Sequence, residues 1–455
     1  DHGIRDAQES RGLGDVYKRQ CICKTKTCIK CPINTYSEGG INPICTPCPN
    51  NQHTSFESGQ TSQDSCKSYN CNPGEGAFDY ITASSDRCRR KITTKAEWPT
   101  LRNNRDLIYF DSAASTQTHV SVLNRMNKYY EEQRCNVNRG DYRISQEVSE
   151  DIERSRQQVA ELLNCNADNI VFTYGATQGL NMVAEWHKDS PVVFITEAEH
   201  TANIMPWIAQ GRTIENGRLV VLPINDRGKI SIEEAVKEFE KYPYSILSIH
   251  SHSNVTGIPT DYKKLTKAAH DHGIKVCIDA CQTIGTHEFD PYTVDYAVFS
   301  GHKMYGPTGV GILYGRLDWS QHRALYQGGD TINHYDFSGN VDFKEGPTKH
   351  EPGTLNIAGI LGLGVAAEYI NWIGYNDITR YMQKLDLALS DADLFNIKGL
   401  KLLYPNYRQN GRYVYSFVCE GFHPSDLSAM ASLDGIAVSA GKLCAHPIVN
   451  KVSGG

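Results

Sequence analysis

From about residue 98 onward, short apolar runs alternate with longer amphipathic stretches, and this alternation predicts the fold. Apolar runs of four or five residues are typical of strands that are buried on both faces. Strand–helix alternation at this spacing predicts an α/β fold built on a mostly parallel sheet. The predicted strands are residues 170–174, 192–196, 219–222, 245–249, 275–279 and 296–299, and the predicted helices include residues 232–242 and 262–271.

The first hundred residues have a different pattern, which is polar and rich in cysteine. Nine of the 15 cysteines lie between Cys21 and Cys88, and a Cys-x2-Cys-Pro run at residues 28–32 is repeated at residues 45–49. Because this segment cannot bury enough apolar surface to fold alone, we predict that disulfides staple it. It resembles the EGF-like or growth-factor-receptor-like repeats of extracellular proteins.

Zinc is the alternative for this cysteine-rich segment, because the two Cys-x2-Cys pairs have nearly the spacing of a zinc ribbon. Disulfides are favoured because zinc would leave five of the nine cysteines unused. The change in pattern predicts four segments. They are a non-native leader at residues 1–20, the cysteine-rich segment with a basic linker at 21–95, a large domain at 96–355, and a smaller, incomplete domain at 356–455.

Charge and hydropathy argue against two classes of partner. The formal net charge of −6 offers no global attraction for nucleic acid or an anionic membrane surface. No run of 18 apolar residues, the length typical of a spanning helix, is present. The most apolar stretch, residues 357–370, is interrupted by three glycines and Glu368, and we predict an amphipathic helix there. We therefore expect neither nucleic acid nor membrane as a partner.

Lys303 is the most informative residue for chemistry. It follows the apolar run at residues 296–300 within the sequence Ser300-Gly301-His302-Lys303. A lysine at the end of a buried strand is well placed to form a Schiff base with an aldehyde cofactor, and the small polar residues beside it can bind a phosphate. The alternative is an ordinary loop lysine.

Other candidates follow other predicted strands, where parallel sheets bind ligands. Ala176 and Thr177 open a helix after a glycine, so their backbone N–H groups can bind an anion, although Thr177 can also simply cap the helix. Asp279 ends a strand and can pair with a protonated pyridine nitrogen, while Gln282 can donate to the ring oxygen. His200 can stack on a ring and relay protons. A turn aspartate and a structural histidine are the alternatives.

Taken together, the ordered motifs resemble the class V aminotransferase family of fold-type I enzymes, which depend on pyridoxal 5′-phosphate. The resemblance extends from about residue 108 to residue 447 and is greatest to the Suf-type cysteine desulfurases and their selenocysteine lyase relatives. Its motifs are Tyr109-Phe-Asp-Ser-Ala-Ala-Ser115, Asn136-Val-Asn-Arg-Gly140, Phe172-Thr-Tyr-Gly-Ala-Thr177, Glu199-His200-x2-Asn203, Ser253-Asn254-Val-Thr-Gly257, Asp279-Ala-Cys-Gln282, Ser300-Gly-His-Lys303, Glu351-Pro-Gly-Thr354 and Gly441-Lys-Leu-Cys444.

The resemblance implies a role for each candidate residue. Lys303 carries the cofactor, His200 stacks on its ring, and Asp279 pairs with the ring nitrogen. Gln282 bonds the ring oxygen, and Asn254 helps to hold the substrate carboxylate. The phosphate ligands are Ala176, Thr177, Ser300 and His302, with Thr354 contributed across a homodimer interface.

Cys444 is the implied nucleophile, which takes sulfur from L-cysteine or selenium from selenocysteine. The products are alanine and a persulfide, whose sulfur passes to an acceptor protein for iron–sulfur cluster assembly in the cytoplasm. Lys442 and His446 are close in sequence and can lower the pKa of the thiol. The alternative for Cys444 is a small buried residue, but Gly441 and Pro447 indicate a turn. No metal is expected at this site.

Several positions depart from the family pattern. Ser439 stands where the family has an arginine, Lys442 and Leu443 stand where it has histidines, and Tyr142 replaces a histidine on the substrate side. The arginine that binds carboxylate in the family lies beyond residue 455. We therefore expect this chain to bind the cofactor better than it turns over substrate.

Two other hypotheses stay open at this point. One is a class V enzyme that acts on a different amino acid, with Cys444 incidental. The other is an extracellular cysteine-rich binding protein with an inactive enzyme-like half. Because disulfides and a reactive thiol favour opposite redox compartments, we suspect that the two halves were joined artificially.

Overall fold

The computed structural model describes residues 95–316, 318–392, 396–405 and 413–453, together with four short strands nearer the N-terminus. The chain divides into two compact units: Asp1–Thr93 with Trp372–Asp377, and Thr94–Asn371 with Ile378–Gly455. The predicted division at residue 355 stays a prediction.

The N-terminal unit contains two antiparallel strand pairs. Strand β1 (Cys21–Lys24) pairs with β2 (Thr27–Lys30), and β3 (Thr35–Tyr36) pairs with β4 (Thr46–Pro47). The predicted leader, the choice between disulfides and zinc, and the basic linker lie outside the described residues.

A seven-stranded sheet forms the centre of the second unit, and its strand order is β6-β12-β11-β10-β9-β7-β8. Only β12 runs antiparallel to its neighbours, so the prediction of a mostly parallel sheet is confirmed. The strands are β6 (Ile170–Thr173), β7 (Val193–Thr196), β8 (Leu219–Leu222), β9 (Ile246–His250), β10 (Lys275–Asp279), β11 (Tyr296–Ser300) and β12 (Gly311–Gly315).

Burial explains why these strands are apolar along their whole length. Every residue of β6, β7, β9, β11 and β12 is buried, whereas the edge strand β8 is buried only at its two ends. Helices cover the sheet, since a parallel sheet needs a crossover connection between successive strands. Helix α4 (Ala176–Trp186), for example, places Leu180 and Val183 in the same hydrophobic cluster as Val298 of β11.

The other helices of the second unit are numbered in chain order. Two of them include residues of the short Trp372–Asp377 segment. The helices are α1 (Pro99–Asn103), α2 (Val120–Lys128), α3 (Arg143–Leu163), α5 (Met205–Ala209), α6 (Ile232–Lys241), α7 (Tyr262–His270), α8 (Ile357–Ile373), α9 (Tyr375–Asp391), α10 (Pro424–Leu433) and α11 (His446–Ser453).

Helix α8 differs from its prediction. We expected an amphipathic helix, but nearly all of its residues from Ile357 to Ile370 are buried, on every face. Two glycines allow neighbouring elements to approach closely. A Cβ atom on Gly364 would lie 2.8 Å from Ser155 Cα of helix α3, and one on Gly362 would lie 3.0 Å from Met126 Cγ of helix α2. The glycines therefore reflect close helix packing and do not interrupt the helix.

A buried ion pair closes the β6 edge of the sheet. Arg156 of helix α3 donates to both carboxylate oxygens of Glu351, at 2.7 and 2.9 Å. The pair also satisfies backbone groups of the edge strand, because Arg156 donates to the Ile170 carbonyl at 2.8 Å and Glu351 accepts from the Phe172 N–H at 2.7 Å. Burial would lower the pKa of Arg156, but Glu351 outweighs it and raises that pKa.

Three small strand pairs complete the described part of the second unit. Strands β13 (Ile332–Tyr335) and β14 (Val341–Phe343) form a hairpin, and β15 (Leu400–Leu402) pairs with β16 (Phe417–Cys419). Strand β17 (Ile436–Ala437) pairs in parallel with β5 (Ile108–Tyr109), so an early segment joins the C-terminal region. Among the described residues no single helix is long and apolar enough to cross a membrane, although the bent pair Ile357–Ile373 and Tyr375–Leu389 passes by length and composition.

Candidate active site

The sheet topology brings the predicted residues to one edge. Strands β9, β10 and β11 are neighbours and parallel, and they end at His250, Asp279 and Ser300. Strand β6 runs in the same direction, since both β6 and β11 are antiparallel to β12. The loops that follow these strands therefore meet at the carboxyl edge, where ligands of such sheets bind.

Lys303 lies in a short 3₁₀ turn, Gly301–Lys303, directly after β11. A distant segment of the chain holds this turn in place. The His302 carbonyl accepts hydrogen bonds from the Thr116 N–H at 2.9 Å and from the Thr116 hydroxyl at 3.0 Å. Gly285 allows close approach on another side, since a Cβ there would lie 2.7 Å from the Lys303 carbonyl oxygen. The lysine is half-buried on a fixed backbone.

The N-terminus of helix α4 contacts the end of β11. The Ala176 N–H donates to Ser300 Oγ at 2.9 Å, while Thr177 at the next position is exposed. His302 Nδ1 lies 3.3 Å from Ser115 Oγ of the Asp-Ser-Ala-Ala-Ser motif. The structure thus brings together the helix N-terminus and Ser300, two parts of the predicted phosphate-binding group.

His200 interacts electrostatically with both Asp279 and Lys303. Burial lowers the pKa of His200, with a smaller opposing effect from Asp279 and a further lowering by Lys303. His200 Nδ1 accepts a hydrogen bond from the Ala202 N–H at 3.1 Å, which assigns the ring proton to Nε2 in the neutral form. This cluster combines an amine, an imidazole and a carboxylate at the edge of the sheet.

Asp279 is the last residue of β10, and Gln282 lies on the turn that follows it. Asp279 is only 7% exposed, and its Oδ1 accepts from the Cys281 N–H at 3.0 Å. The Gln282 side-chain N–H donates to the Ala113 carbonyl at 2.7 Å. In this structure the Gln282 amide therefore tethers the Asp-Ser-Ala-Ala-Ser motif to the site, and its predicted bond to a ring oxygen stays a prediction.

A buried polar network beneath this edge was not found from the sequence. The fully buried Glu199 accepts from His250 Nδ1 at 2.8 Å, from Thr196 Oγ1 at 2.6 Å and from Asn203 Nδ2 at 2.8 Å. Burial by itself would lower the pKa of His250, but Glu199 and, more weakly, Asp279 outweigh burial and raise it. The available signal was His250, a histidine at the end of a largely apolar strand.

The loop that carries Cys444 contacts this edge through its main chain. The Cys444 carbonyl accepts from the Thr201 N–H and from the Thr201 hydroxyl, each at 2.7 Å. The neighbouring Leu443 carbonyl accepts from Asn254 Nδ2 at 2.8 Å. Cys444 itself is an exposed free thiol. The predicted contact of Asn254 with a substrate carboxylate stays a prediction, because its amide here holds the loop.

The departures from the family pattern have their own local contacts. Ser439 donates to Asp111 Oδ1 at 2.5 Å, so it joins strand β17 to the segment after β5. Tyr142 is half exposed, and Lys442 and His446 are exposed. The predicted influence of Lys442 and His446 on the thiol stays a prediction.

Thr354 lies in the loop that follows Glu351 and is exposed. Glu351 is fixed by the ion pair with Arg156, and Gly353 donates to the Gly329 carbonyl at 2.8 Å, so the backbone on the N-terminal side of Thr354 is fixed. The predicted role of Thr354 across a subunit interface stays a prediction, since the structure contains one chain.

A comparison with known protein families matches most of the chain. A family model described as aminotransferase class-V matches residues 108–454. The chain belongs to the class V aminotransferase family. The family prediction made from the motifs is thereby confirmed.

Relatives within the family give a narrower comparison. A cysteine desulfurase of Synechococcus elongatus is 36% identical over 77% of this chain and 56% of its own length. This chain thus spans just over half of that protein. A cysteine desulfurase of Klebsiella pneumoniae is 34% identical over 78% of this chain and 89% of its own length.

A solved structure has the same fold as this class V aminotransferase chain. The apo structure of a cysteine desulfurase from Thermococcus onnurineus aligns with a TM-score of 0.72 and 29% identity, covering 79% of this chain and 90% of that chain. The prediction of a fold-type I architecture is confirmed by this match.

Proposed function

We propose that this chain is a pyridoxal 5′-phosphate-dependent cysteine desulfurase that converts L-cysteine to L-alanine and accepts the sulfur on Cys444. One observation carries the proposal. The loop of Cys444 is hydrogen-bonded to Thr201, the residue directly after His200, and His200 interacts electrostatically with Asp279 and Lys303. The turn that contains His200 and Thr201 therefore connects the loop of Cys444 to the candidate cofactor site.

The residues at the edge fit the chemistry of this cofactor. The helix N-terminus at Ala176 and Thr177 and the side chains of Ser300 and His302 supply donors for a phosphate. The buried carboxylate of Asp279 suits a protonated ring nitrogen, and Lys303 supplies the amine for a Schiff base. Glycine is required beside these donors, because a Cβ on Gly311 would lie 2.5 Å from Gly175 Cα.

When bound, pyridoxal phosphate supplies an electron sink that stabilises negative charge at the substrate α-carbon. The protein residues then orient groups and move protons. The Lys303 amine takes the proton from the α-carbon, and Asp279 holds the proton on the ring nitrogen. His200 would stack on the bound ring and exclude water from one side. The hydrogen bond from Gln282 to the Ala113 carbonyl fixes the turn that follows Asp279.

Sulfur transfer needs one nucleophile and one proton. The Cys444 thiolate attacks the sulfur of the substrate, so an S–S bond forms while the substrate Cβ–S bond breaks. The electron pair of the broken bond stays with the carbon fragment, which takes up a proton and leaves as alanine. L-cysteine and the Cys444 thiol thereby become L-alanine and a Cys444 persulfide, without an external oxidant.

We further propose that the persulfide passes its sulfur to an acceptor protein in iron–sulfur cluster assembly, and that the enzyme is a homodimer in the cytoplasm. A reducing compartment suits the chemistry because the thiol of Cys444 must stay free. The six cysteines of residues 95–453 are all free thiols, which supports this part of the proposal.

Alanine release from L-cysteine tests the function, with the full chain loaded with pyridoxal phosphate. We compare the unmodified chain with Cys444→Ser and with Cys419→Ser, a matched control in the same C-terminal region. Alanine release that persists in Cys419→Ser and is lost in Cys444→Ser supports the proposal. Equal release from all three proteins would contradict the role of Cys444. No release from the unmodified chain, despite bound cofactor, would contradict desulfuration.

A further inference from the structure

The backbone of the Cys444 loop is in an unfavourable conformation that neighbouring residues must hold. Leu443 and Cys444 are consecutive residues with positive φ, 49° and 54°, a region that side chains other than glycine or asparagine rarely adopt. Such a conformation persists only where surrounding contacts over-determine it. The question is which contacts do so here.

Two consecutive carbonyl groups of the loop are held by residues of the sheet edge. Both hydrogen bonds to the Cys444 carbonyl come from Thr201, one from the backbone N–H and one from the hydroxyl, so both of its lone pairs are used. The Leu443 carbonyl is held by Asn254 at 2.8 Å. The side chain of Cys444 is left exposed beside these contacts.

The chain beyond Cys444 is fixed by burial. Ala445 and Ile448 are fully buried in one hydrophobic cluster with Ala198 and Val255. Ala198 precedes His200 by two residues and Val255 directly follows Asn254, so the same two loops that donate the hydrogen bonds also form the apolar support. The backbone around Cys444 is thus held by hydrogen bonds at Leu443 and Cys444 and by burial of the residues that follow.

The turn that carries Thr201 is itself fixed from below. His200 caps the 3₁₀ helix Thr201–Asn203, Asn203 Nδ2 donates to Glu199 at 2.8 Å, and Asn203 accepts from Ser248 at 2.6 Å. A displacement of Thr201 would therefore require buried hydrogen bonds to break. This makes Thr201 a stiff attachment point and not a mobile surface residue.

We propose that Thr201 is a positioning residue, whose hydroxyl fixes the Cys444 thiol relative to the His200 turn and so sets its approach to the substrate sulfur. The inference rests on the proposed role of Cys444 as sulfur acceptor. The Thr201 hydroxyl takes no direct part in the reaction. It acts through the carbonyl of Cys444, and its neighbour His200 acts on the cofactor side.

Thr201→Val tests the inference, because valine keeps the shape and the backbone N–H bond but removes the hydroxyl. We expect kcat for alanine release to fall about tenfold, the effect of losing one hydrogen bond in the reacting geometry. The KM for L-cysteine and the absorption spectrum of the bound cofactor should stay unchanged. Thr201→Ser should restore kcat to within about twofold of the unmodified chain.

Hydrogen–deuterium exchange provides a readout that does not depend on activity. In Thr201→Val, with or without cofactor, the peptide covering residues 440–450 should exchange several-fold faster, while peptides from the central sheet should not change. Thr293→Val is the matched control, because the Thr293 hydroxyl also donates to a backbone carbonyl, that of Asp290, in a 3₁₀ turn at the opposite end of the sheet.

Failure of this inference is distinguishable from failure of the proposed function. If Thr201→Val exchanges and turns over like the unmodified chain, Thr201 is not a positioning residue. The same conclusion holds if exchange rises throughout the sheet, which would indicate a general loss of stability. If the unmodified chain releases no alanine, the proposed function fails, and unchanged exchange at residues 440–450 in Thr201→Val would still refute the attachment.

Discussion

Histidines near the two ends of the central sheet have pKa values that are shifted in opposite directions. At the carboxyl end, Glu199 and Asp279 raise the pKa of His250 against the effect of burial. At the other end, the Tyr296 hydroxyl lies 3.1 Å from His187 Nε2 and 3.0 Å from His322 Nε2. There burial, with smaller effects of nearby charges, lowers the pKa of both histidines to about 4.

The difference indicates that candidate catalytic groups lie at the carboxyl end of the sheet, whereas the groups at the opposite end contribute to stability. The carboxyl end concentrates Lys303, Asp279, His200 and the Glu199–His250 pair, in which Glu199 favours the charged form of His250. The opposite end has neutral rings that stack, as Trp186 does on His322 with centroids 4.4 Å apart. Changes at the carboxyl end should therefore alter catalysis first, and changes at the opposite end should alter only stability and its pH dependence.

The largest effect that would sharpen this comparison is expected for Lys303→Ala. Alanine release should fall by about 10³-fold or more, because both the Schiff base and the catalytic base are lost. The absorption band of the bound cofactor should shift, while the urea midpoint should change little. Lys237→Ala, on the exposed part of helix α6, is the control and should behave like the unmodified chain.

Asp279→Asn should follow, with alanine release lowered about 10²-fold. The amide cannot stabilise a proton on the ring nitrogen, but it keeps the size and the acceptor oxygen for the Cys281 N–H. The measurement is kcat together with the visible spectrum of the loaded protein. A variant with full activity and an unchanged spectrum would remove Asp279 from the proposed cofactor site.

Glu199→Gln should destabilise the fold by about 3 kcal/mol, because it removes the carboxylate that favours the charged form of the buried His250. The folded-state pKa of His250 is raised, so its contribution to stability is present below the unfolded pKa of about 6.5 and is lost as pH rises through the folded value. The deficit of the variant should therefore be largest at low pH in urea unfolding.

Glu197→Gln is the matched control for that measurement, since Glu197 lies two residues away and pairs with Lys451 at the surface. A surface ion pair contributes about 1 kcal/mol or less. Equal destabilisation by the two substitutions, or a Glu199→Gln deficit that does not depend on pH, would show that His250 is not charged in the folded protein.

The smallest effect is expected at the opposite end of the sheet. His187 and His322 are held neutral in the folded protein, so the unfolded chain binds more protons and stability should rise with pH between about 4 and 6.5. His322→Phe keeps a ring beside Trp186 and should reduce that rise by about 1–2 kcal/mol. The measurement is the urea midpoint across this pH range.

His334→Phe is the control for the pH series, because His334 is exposed on hairpin strand β13. In His322→Phe, loss of the bond to Tyr296 should add a destabilisation that does not depend on pH, whereas loss of the titrating imidazole should reduce the slope. A slope identical to that of the unmodified chain would contradict a neutral His322 and would remove the contrast between the two ends of the sheet.

Local pattern in the sequence predicted much of the fold. The six strands predicted from apolar runs all form, with ends that agree to within one residue at each position, because a run of apolar residues is required wherever a strand is buried on both faces. Lys303, Asp279, Ser300 and Ala176 were identified for a related reason: they lie at the ends of such runs or a few residues after them.

Contacts between residues far apart in the sequence were not predicted, because no local pattern encodes them. His250 and Glu199 are 51 residues apart, and Thr201 and Cys444 are 243 residues apart. The fully buried surface of helix α8 was also missed, because its glycines were taken as interruptions although they allow helix α3 to pack closely. In each case the sequence did not show which distant segment packs against the residue or helix concerned.

The sequence by itself determined the order of strands and helices, the family, and the residues that stand at strand ends, since these depend on local periodicity and on motifs. Only the tertiary structure decided which groups share buried charge and how the Cys444 loop is attached to the His200 turn. Burial and hydrogen-bond distance are properties of neighbours in space. Hence the pKa of His250 and the attachment of Cys444 became visible only when the folded chain brought these residues together.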